Sequence, residues 1–156
     1  MGQTAQPSPQ PSPPQTAAAP AIPAANPGDV NSIDAIIAAV YDVISGPAGK
    51  KRNWDRERSL FISGARLIPT AVEAGRNDVD LAPQILDIEG YIARAESFFA
   101  GQGFYEKEIA RRTEQFGHIA HVWSTYESRH NPDDPEPFMR GINSIQLLMT
   151  AVVGGL

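Results

Sequence analysis

The stretch Gly103–Arg129, GFYEKEIARRTEQFGHIAHVWSTYESR, decides the fold. Its two halves read differently. Residues 104–116 are rich in Glu, Lys, Arg and Ala, and composition alone favours a helix there. From His118 to Arg129 the chain mixes Ile, Val, Trp, Thr and Tyr, which suits a half-buried pleated surface and reads as a strand. Asn131-Pro132-Asp133-Asp134-Pro135 is a turn, and Phe138 to Leu148 reads as a second strand, with Ile142, Ile145 and Leu147 among polar residues.

Upstream the pattern is helical. Residues 32–45 place Ile33, Ile36, Ile37, Val40 and Ile44 on one face, with Asn31 or Ser32 as cap, Asp34 in the first turn and Gly46-Pro47 as the stop. A second helix starts at the cap Asn53, with Trp54 and Phe61 on its buried side beside Arg58, and stops at Gly64. Ala65 to Ile68 reads as a short strand ended by Pro69, and residues 71–86 as a loop that could hold a hairpin. A third helix, about 88–100, is capped by Asp87 and turns Ile88, Tyr91, Ile92, Ala95 and Phe99 inward. Three helices followed by long strands is an α+β order.

Outside this region the chain changes character. Residues 1–30 hold 8 of the 14 prolines, no Lys or Arg, and one charge, Asp29. Such a Pro, Ala, Ser and Gln composition predicts a disordered, extended leader that buries nothing. It lacks the charged start and apolar core of a signal peptide, and export stays open if the true start lies upstream. The chain has no cysteine, which excludes disulfides, thiol nucleophiles and thiolate metal sites. A net charge of −5 argues against nucleic acid as partner, and no apolar run approaches the roughly 20 residues that span a membrane. Lys50-Lys51-Arg52 reads as a solvated turn.

The segments SGPAGKKRNWDRERSLFISGARLIPT (45–70), Gly103–Arg129 and RGINSIQLL (140–148) resemble the nuclear transport factor 2-like superfamily, in particular its small bacterial SnoaL-like or ketosteroid-isomerase-like branch. The resemblance covers about residues 31–148. It implies that 104–116 is a long strand, against composition. It also implies a curved antiparallel sheet wrapped around three helices, a cone-shaped half-barrel with a pocket inside. Relatives on this fold include isomerases, dehydratases, cyclases and non-enzymes, so the resemblance names an architecture and no chemistry. Residues 149–156 depart from the pattern, which continues with Asp-Gly and a Trp-bearing last strand. Read two bases further on, the codons for this tail force Asp first and permit Gly-Arg-Arg-Trp-Trp after it. The expectation is therefore a tail displaced by a single-base deletion, with the last strand missing.

Residues two apart on a strand share a face. His121, Trp123, Thr125 and Glu127 lie on one face, and Ala120, Val122, Ser124 and Tyr126 on the other. In the next strand Arg140, Ile142, Ser144 and Gln146 oppose Gly141, Asn143, Ile145 and Leu147. Polar residues in an apolar strand need partners, which makes His121, Tyr126, Arg140, Asn143 and Gln146 candidates for a pocket, with Trp54 and Asp55 near its mouth. The catalytic set is His121 or Asp55 as base and Tyr126 or Arg140 to polarise an oxygen. Each has a plainer reading: a hydrogen-bonded core histidine, a first-turn helix acid, a core tryptophan, and an arginine paired with Glu106 or Glu127. His118 and His121 fall on opposite strand faces, so no metal pair is expected, and no cofactor motif appears. The expected function is a small-molecule-binding pocket domain for an apolar or amphipathic ligand, homodimeric through its sheet. The alternatives are a ketosteroid-isomerase-like or dehydratase-like enzyme, or a non-catalytic dimerisation module.

Overall fold

Gly46 marks the junction from which the helices and the sheet diverge. A computed structural model describes residues 22–70 and 84–150 of the chain. Among them are four helices, α1 (Pro27–Val30), α2 (Ile33–Ile44), α3 (Trp54–Ser59) and α4 (Ile88–Gly101), then three strands, β1 (Tyr105–Phe116), β2 (Ile119–Arg129) and β3 (Met139–Leu148). The caps follow the sequence: Ser32 Oγ accepts from the Ala35 amide, Asn53 Oδ1 from Arg56 and Asp87 Oδ1 from Gly90. The expected strand at 65–68 shrinks to one bridge, Leu67 with Leu86. Residues 71–83 of the loop expected at 71–86, the leader through residue 21 and the tail at 151–156 lie outside the described residues.

The class is α+β, and residues 105–116 are a strand although their composition favours a helix. Pairing along nearly the whole of β2 decides this, since tertiary context overrides propensity. The sheet is antiparallel in the order β1-β2-β3. It differs from the implied cone in being neither closed nor strongly curled. With three strands, β1 and β3 both remain edges, and closure needs more strands at a consistent tilt.

Composition assigns residues 1–30 to the leader, but the structure takes the end of that segment into the domain. Asn26 caps the single turn of α1, and Asp29 on it is only 9% exposed. The reason is Arg56, which donates to both Asp29 oxygens at 2.8 and 2.9 Å and to Asp42 at 2.5 Å. A lone charge in an apolar-poor segment is excluded from a core only when it has no partner.

Two apolar clusters meet on α2. Val43 and Ile44 pack with Trp54, Ile92, Ala95, Phe99 and Phe104, while Ile37 and Tyr41 pack on Val122 of the sheet. The first cluster includes a stacked pair, Trp54 on Phe99 with centroids 6.2 Å apart.

Arg52 closes the junction. It is 5% exposed, and its guanidinium donates to the carbonyls of Ile44 and Gly46 at 2.8 Å and of Lys50 at 2.7 Å. It also lies 4.9 Å above the Phe99 ring centroid. The basic run at 50–52 is thus a solvated turn only in part. Gly46 has φ 155°, and a Cβ there would stand 2.9 Å from the Arg52 guanidinium, so glycine is required on two counts. Arg52→Lys keeps the charge and loses the planar fork. We expect it to lower the unfolding free energy by about 3–5 kcal/mol, as for breaking a buried charged network, measured by urea denaturation. A loss below about 1 kcal/mol would show that the fork is dispensable.

Candidate functional site

The face of the sheet that meets α2 is polar for a buried surface. Antiparallel register sets Glu106 opposite Ser128, Glu108 opposite Tyr126, Arg111 opposite Ser124, and Ser124 opposite Asn143. Glu108 and Arg111 are three apart and would point to opposite sides of a regular strand. The register shifts between Glu108 and Ala110, so Ile109 is the extra residue of a bulge. The bulge turns Arg111 onto the face of Glu108, where its Nη2 donates at 2.6 Å.

A directed chain of hydrogen bonds results. Ser124, wholly buried, donates its one proton to Glu108 Oε1 at 2.5 Å. The Tyr41 hydroxyl, 2.7 Å from Ser124 Oγ, must therefore be the donor in that contact. Asn143 Nδ2 in turn donates to the Tyr41 oxygen at 3.2 Å. Burial alone would push the Glu108 carboxyl up, but hydrogen bonds from Arg111 and Ser124 prevail and hold it below its ordinary value.

Two other carboxylates lack such support. Glu106 receives Ser128 Oγ at 2.7 Å, but burial dominates and pushes it up to about 7. Glu57 on α3 is 1% exposed, and its Oε2 has no hydrogen-bond partner among the described residues. Burial pushes it up to about 7, with Arg56 opposing weakly. The phenol of Tyr91 on α4 is raised first by burial and then by the charges of Glu57 and Glu106. Tyr126 is raised by burial, then by Glu106 and Tyr41. The Tyr126 ring lies over the backbone of β3, where a Cβ on Gly141 would come within 2.5 Å of its hydroxyl oxygen. Glycine at 141 is what lets this ring lie flat.

A cleft of about 500 Å³ opens between α2 and the β1 edge, lined among others by Ile37, Ala38, Tyr41, Glu106, Glu108 and Arg111. That volume is in the range of small-molecule sites, and the lining combines an apolar wall with a few polar groups.

The structure divides the residues singled out from sequence. Tyr126 and Asn143 lie on the inner face with Tyr41. His121, Arg140 and Gln146 lie on the outer face, where His121 Nε2 is 2.9 Å from Ser144 Oγ and its ring is 4.7 Å from that of Trp123. Arg140 is exposed and 3.5 Å from Glu127, one of the partners its plainer reading named. Asp55 is a surface acid paired with Arg58 at 3.0 Å, its side chain 79% exposed. Trp54 is core and donates its indole N–H to Glu96 at 2.6 Å. Sequence reasoning did not single out Glu106, Glu108 and Tyr41, which line the cleft, or the buried carboxyl of Glu57. One signal was available: Glu57 follows the buried Trp54 by three residues and so shares its helix face.

Models of known protein families, curated proteins and solved structures were all compared with this chain, and none matches it. Among the described residues no cluster of three or more His, Cys, Asp or Glu stands in metal-holding geometry. No helix among them is long and apolar enough to cross a membrane.

Two measurements check the site. Tyr41→Phe and Ser124→Ala should each lower stability by about 1 kcal/mol or more, as buried hydrogen-bonding groups do. Their double variant should fall short of additivity by at least about 0.5 kcal/mol, as members of one network do. The second concerns pH. A carboxyl near 4.5 unfolded and about 7 folded binds more protons in the folded state between those values, so stability falls as pH rises from about 4.5 to about 7. For Glu57 the full effect is roughly 3 kcal/mol. Glu57→Gln should therefore flatten the decline and be the more stable protein at pH 8, by thermal unfolding across pH 5–8. A decline unchanged in the variant would assign it to other groups.

Proposed function

We propose that this domain binds a small molecule in the cleft between α2 and β1. The observation that carries the reading is the cleft itself, where Ile37, Ala38 and Tyr41 form an apolar wall beside Glu106, a carboxyl that receives a hydrogen bond from Ser128. A concave surface with an apolar wall and a few polar groups is the usual form of a small-molecule site. The nuclear transport factor 2-like architecture, with its pocket between helices and sheet, is the family reading consistent with this placement. The ligand would be apolar or amphipathic, resting on Ile37, Ala38 and Tyr41.

The test is a fragment screen by protein-observed NMR on the full chain, with Ala38→Trp as the control. Ala38 is exposed and lines the cleft, so the larger side chain should fill it without disturbing the core. Hits should perturb Tyr41 and Tyr126 and be lost in Ala38→Trp at an unchanged melting temperature. Hits that persist in that variant, or none at these residues, would remove the cleft from consideration.

An enzyme of the isomerase or dehydratase kind remains the second reading. Its supporting observation is Glu106, a cleft-lining carboxyl held near neutrality, where a group gives and takes protons most effectively. Glu106 then stands in the role that His121 or Asp55 was expected to fill, with Tyr126 as the group that polarises an oxygen. A third reading, dimerisation, rests on the outer sheet face, where Trp123 is 43% exposed and Ile142 63%. A second copy applied across a two-fold axis would cover both. Trp123→Lys should then shift the chain from dimer to monomer in light scattering, and an unchanged mass would count against the sheet as the interface.

A further inference from the structure

The outer face of the sheet is open among the described residues: Phe116 is 90% exposed, Leu148 52%, and Trp123 and Ile142 are exposed as well. Its side chains stand in rows across the three strands. Phe116, Ile119 and Leu148 form an apolar row at one end. Lys107, Glu127 and Arg140 form a charged row at the other. Between them come the row of Glu114, His121 and Gln146, the row of Arg112, Trp123 and Ser144, and the row of Ala110, Thr125 and Ile142. Arg112 and Glu114 are thus neighbours of opposite charge on the edge strand β1, with Arg112 Nη2 2.6 Å from Glu114 Oε1. His121 and Trp123 hold the centre of the face, their rings 4.7 Å apart.

Resting on the dimerisation reading above, we propose that this face takes a second copy of the chain, about a two-fold axis that lies across the strands and passes between the row of His121 and the row of Trp123. Rotation about that axis turns each strand end for end and sets it over its own copy. Arg112 then faces Glu114 of the second copy and Glu114 faces its Arg112, so the two in-chain pairs close into a ring of four alternating charges. Trp123 faces His121 of the second copy, which joins the two ring pairs into one aromatic layer. The bulky Phe116 comes over the small Ala110, and Leu148 over Ile142. Rings then fill the middle of the interface and the charges lie at its β1 edge, within reach of water, as in an interface with an apolar centre and a polar rim.

Charge rejects the neighbouring arrangements. With the axis on the Trp123 row, Arg112 would lie over its own copy, and the apolar end row over Lys107, Glu127 and Arg140. With the axis on the His121 row, Glu114 would lie over its own copy. An axis along the strands would set β1 over β3 and Lys107 over Arg140, two cations. Like charges brought face to face oppose each of these. Pairing along the free edge of β1 is opposed by its Lys, Arg and Glu side chains and by its bulge, the usual defences of an edge strand. Three strands about 4.8 Å apart make a narrow face. The dimer therefore belongs at the weak end of specific interfaces and should dissociate at micromolar concentrations.

The test is charge reversal, followed by sedimentation velocity on the full chain. Arg112→Glu puts four carboxylates in the ring and Glu114→Arg four guanidiniums, and each should weaken the homodimer by at least about tenfold. The double variant, Arg112→Glu with Glu114→Arg, restores the alternation and should dimerise within about threefold of the parent. Mixing the two single variants, one of them isotope-labelled, should give the heterodimer in excess over both homodimers in native mass spectrometry. All these variants should keep the parent's melting temperature in dilute solution, since both side chains are exposed. If Trp123→Lys gives a monomer while the charge reversals leave association unchanged and the mixture shows no heterodimer excess, the register is overturned and the sheet-face dimer stands. A dimer that persists in Trp123→Lys, as one joined along the β3 edge would, overturns both. A parent chain that stays monomeric up to about 1 mM overturns both as well.

Discussion

Everything in this domain radiates from one buried guanidinium. Arg52 gathers the carbonyls of Ile44, Gly46 and Lys50, which end α2 and make the turn into α3. The Gly46 backbone also pairs with Phe104 in both directions, at 2.7 and 3.0 Å, just before β1 begins. The direction in which α2 leaves, the start of the first strand and the seat of Phe99 on α4 are therefore set at one point. The carbonyls at a helix end need donors wherever water is excluded, and a planar fork with five N–H groups meets several of them at once. Lysine offers a point charge that cannot do the same.

From that junction α2 runs across the sheet with a different problem on each side. Toward α3 and α4 it buries aliphatic and aromatic surface, which needs shape alone. Toward the sheet it meets Ser124, Glu108 and Asn143, which need partners as well. Tyr41 satisfies this second side, with its ring packed in the cluster on Val122 and its hydroxyl bonded to Ser124 and Asn143. Glu108 is accommodated because Arg111 and Ser124 both donate to it. Glu57 and Glu106 have no comparable support, and their ordinary ionised forms are correspondingly disfavoured. The satisfied groups are the ones that hold α2 to the sheet.

The residues that looked most functional by type proved to be the most ordinary in place. His121 sits on the outer sheet face beside Ser144 and Trp123, Asp55 pairs with an arginine on the same helix, and Trp54 stacks in the core. Imidazole and indole attract notice in a sequence because they are rare. Glutamates in a run such as EKE do not, because a charge run usually means solvent. Face decides between the two cases, and face in β1 depends on a bulge.

The caps of α2, α3 and α4 and the inward face of α4 were legible in the sequence, since Ser32, Asn53 and Asp87 act within three residues of themselves and need no distant partner. By contrast Phe61, expected on the buried side of the second helix, lies beyond α3, and α2 buries Ala39, Tyr41 and Val43 besides the expected Ile37 and Ile44. The two later strands and their alternating faces were legible as well, because the pleat has a period of two wherever pairing is regular. Tertiary structure decided the rest. Strand β1 is a strand because β2 offers it a full ladder, against the helical preference of its own residues. Arg111 meets Glu108 because Ile109 is squeezed out of register, and no local propensity announces that shift. Asp29 belongs to the domain because Arg56, 27 residues away, reaches it. The Oε2 of Glu57 has no such partner among the described residues: whether a buried oxygen has one depends on every element around it, and a sequence read segment by segment holds no record of that.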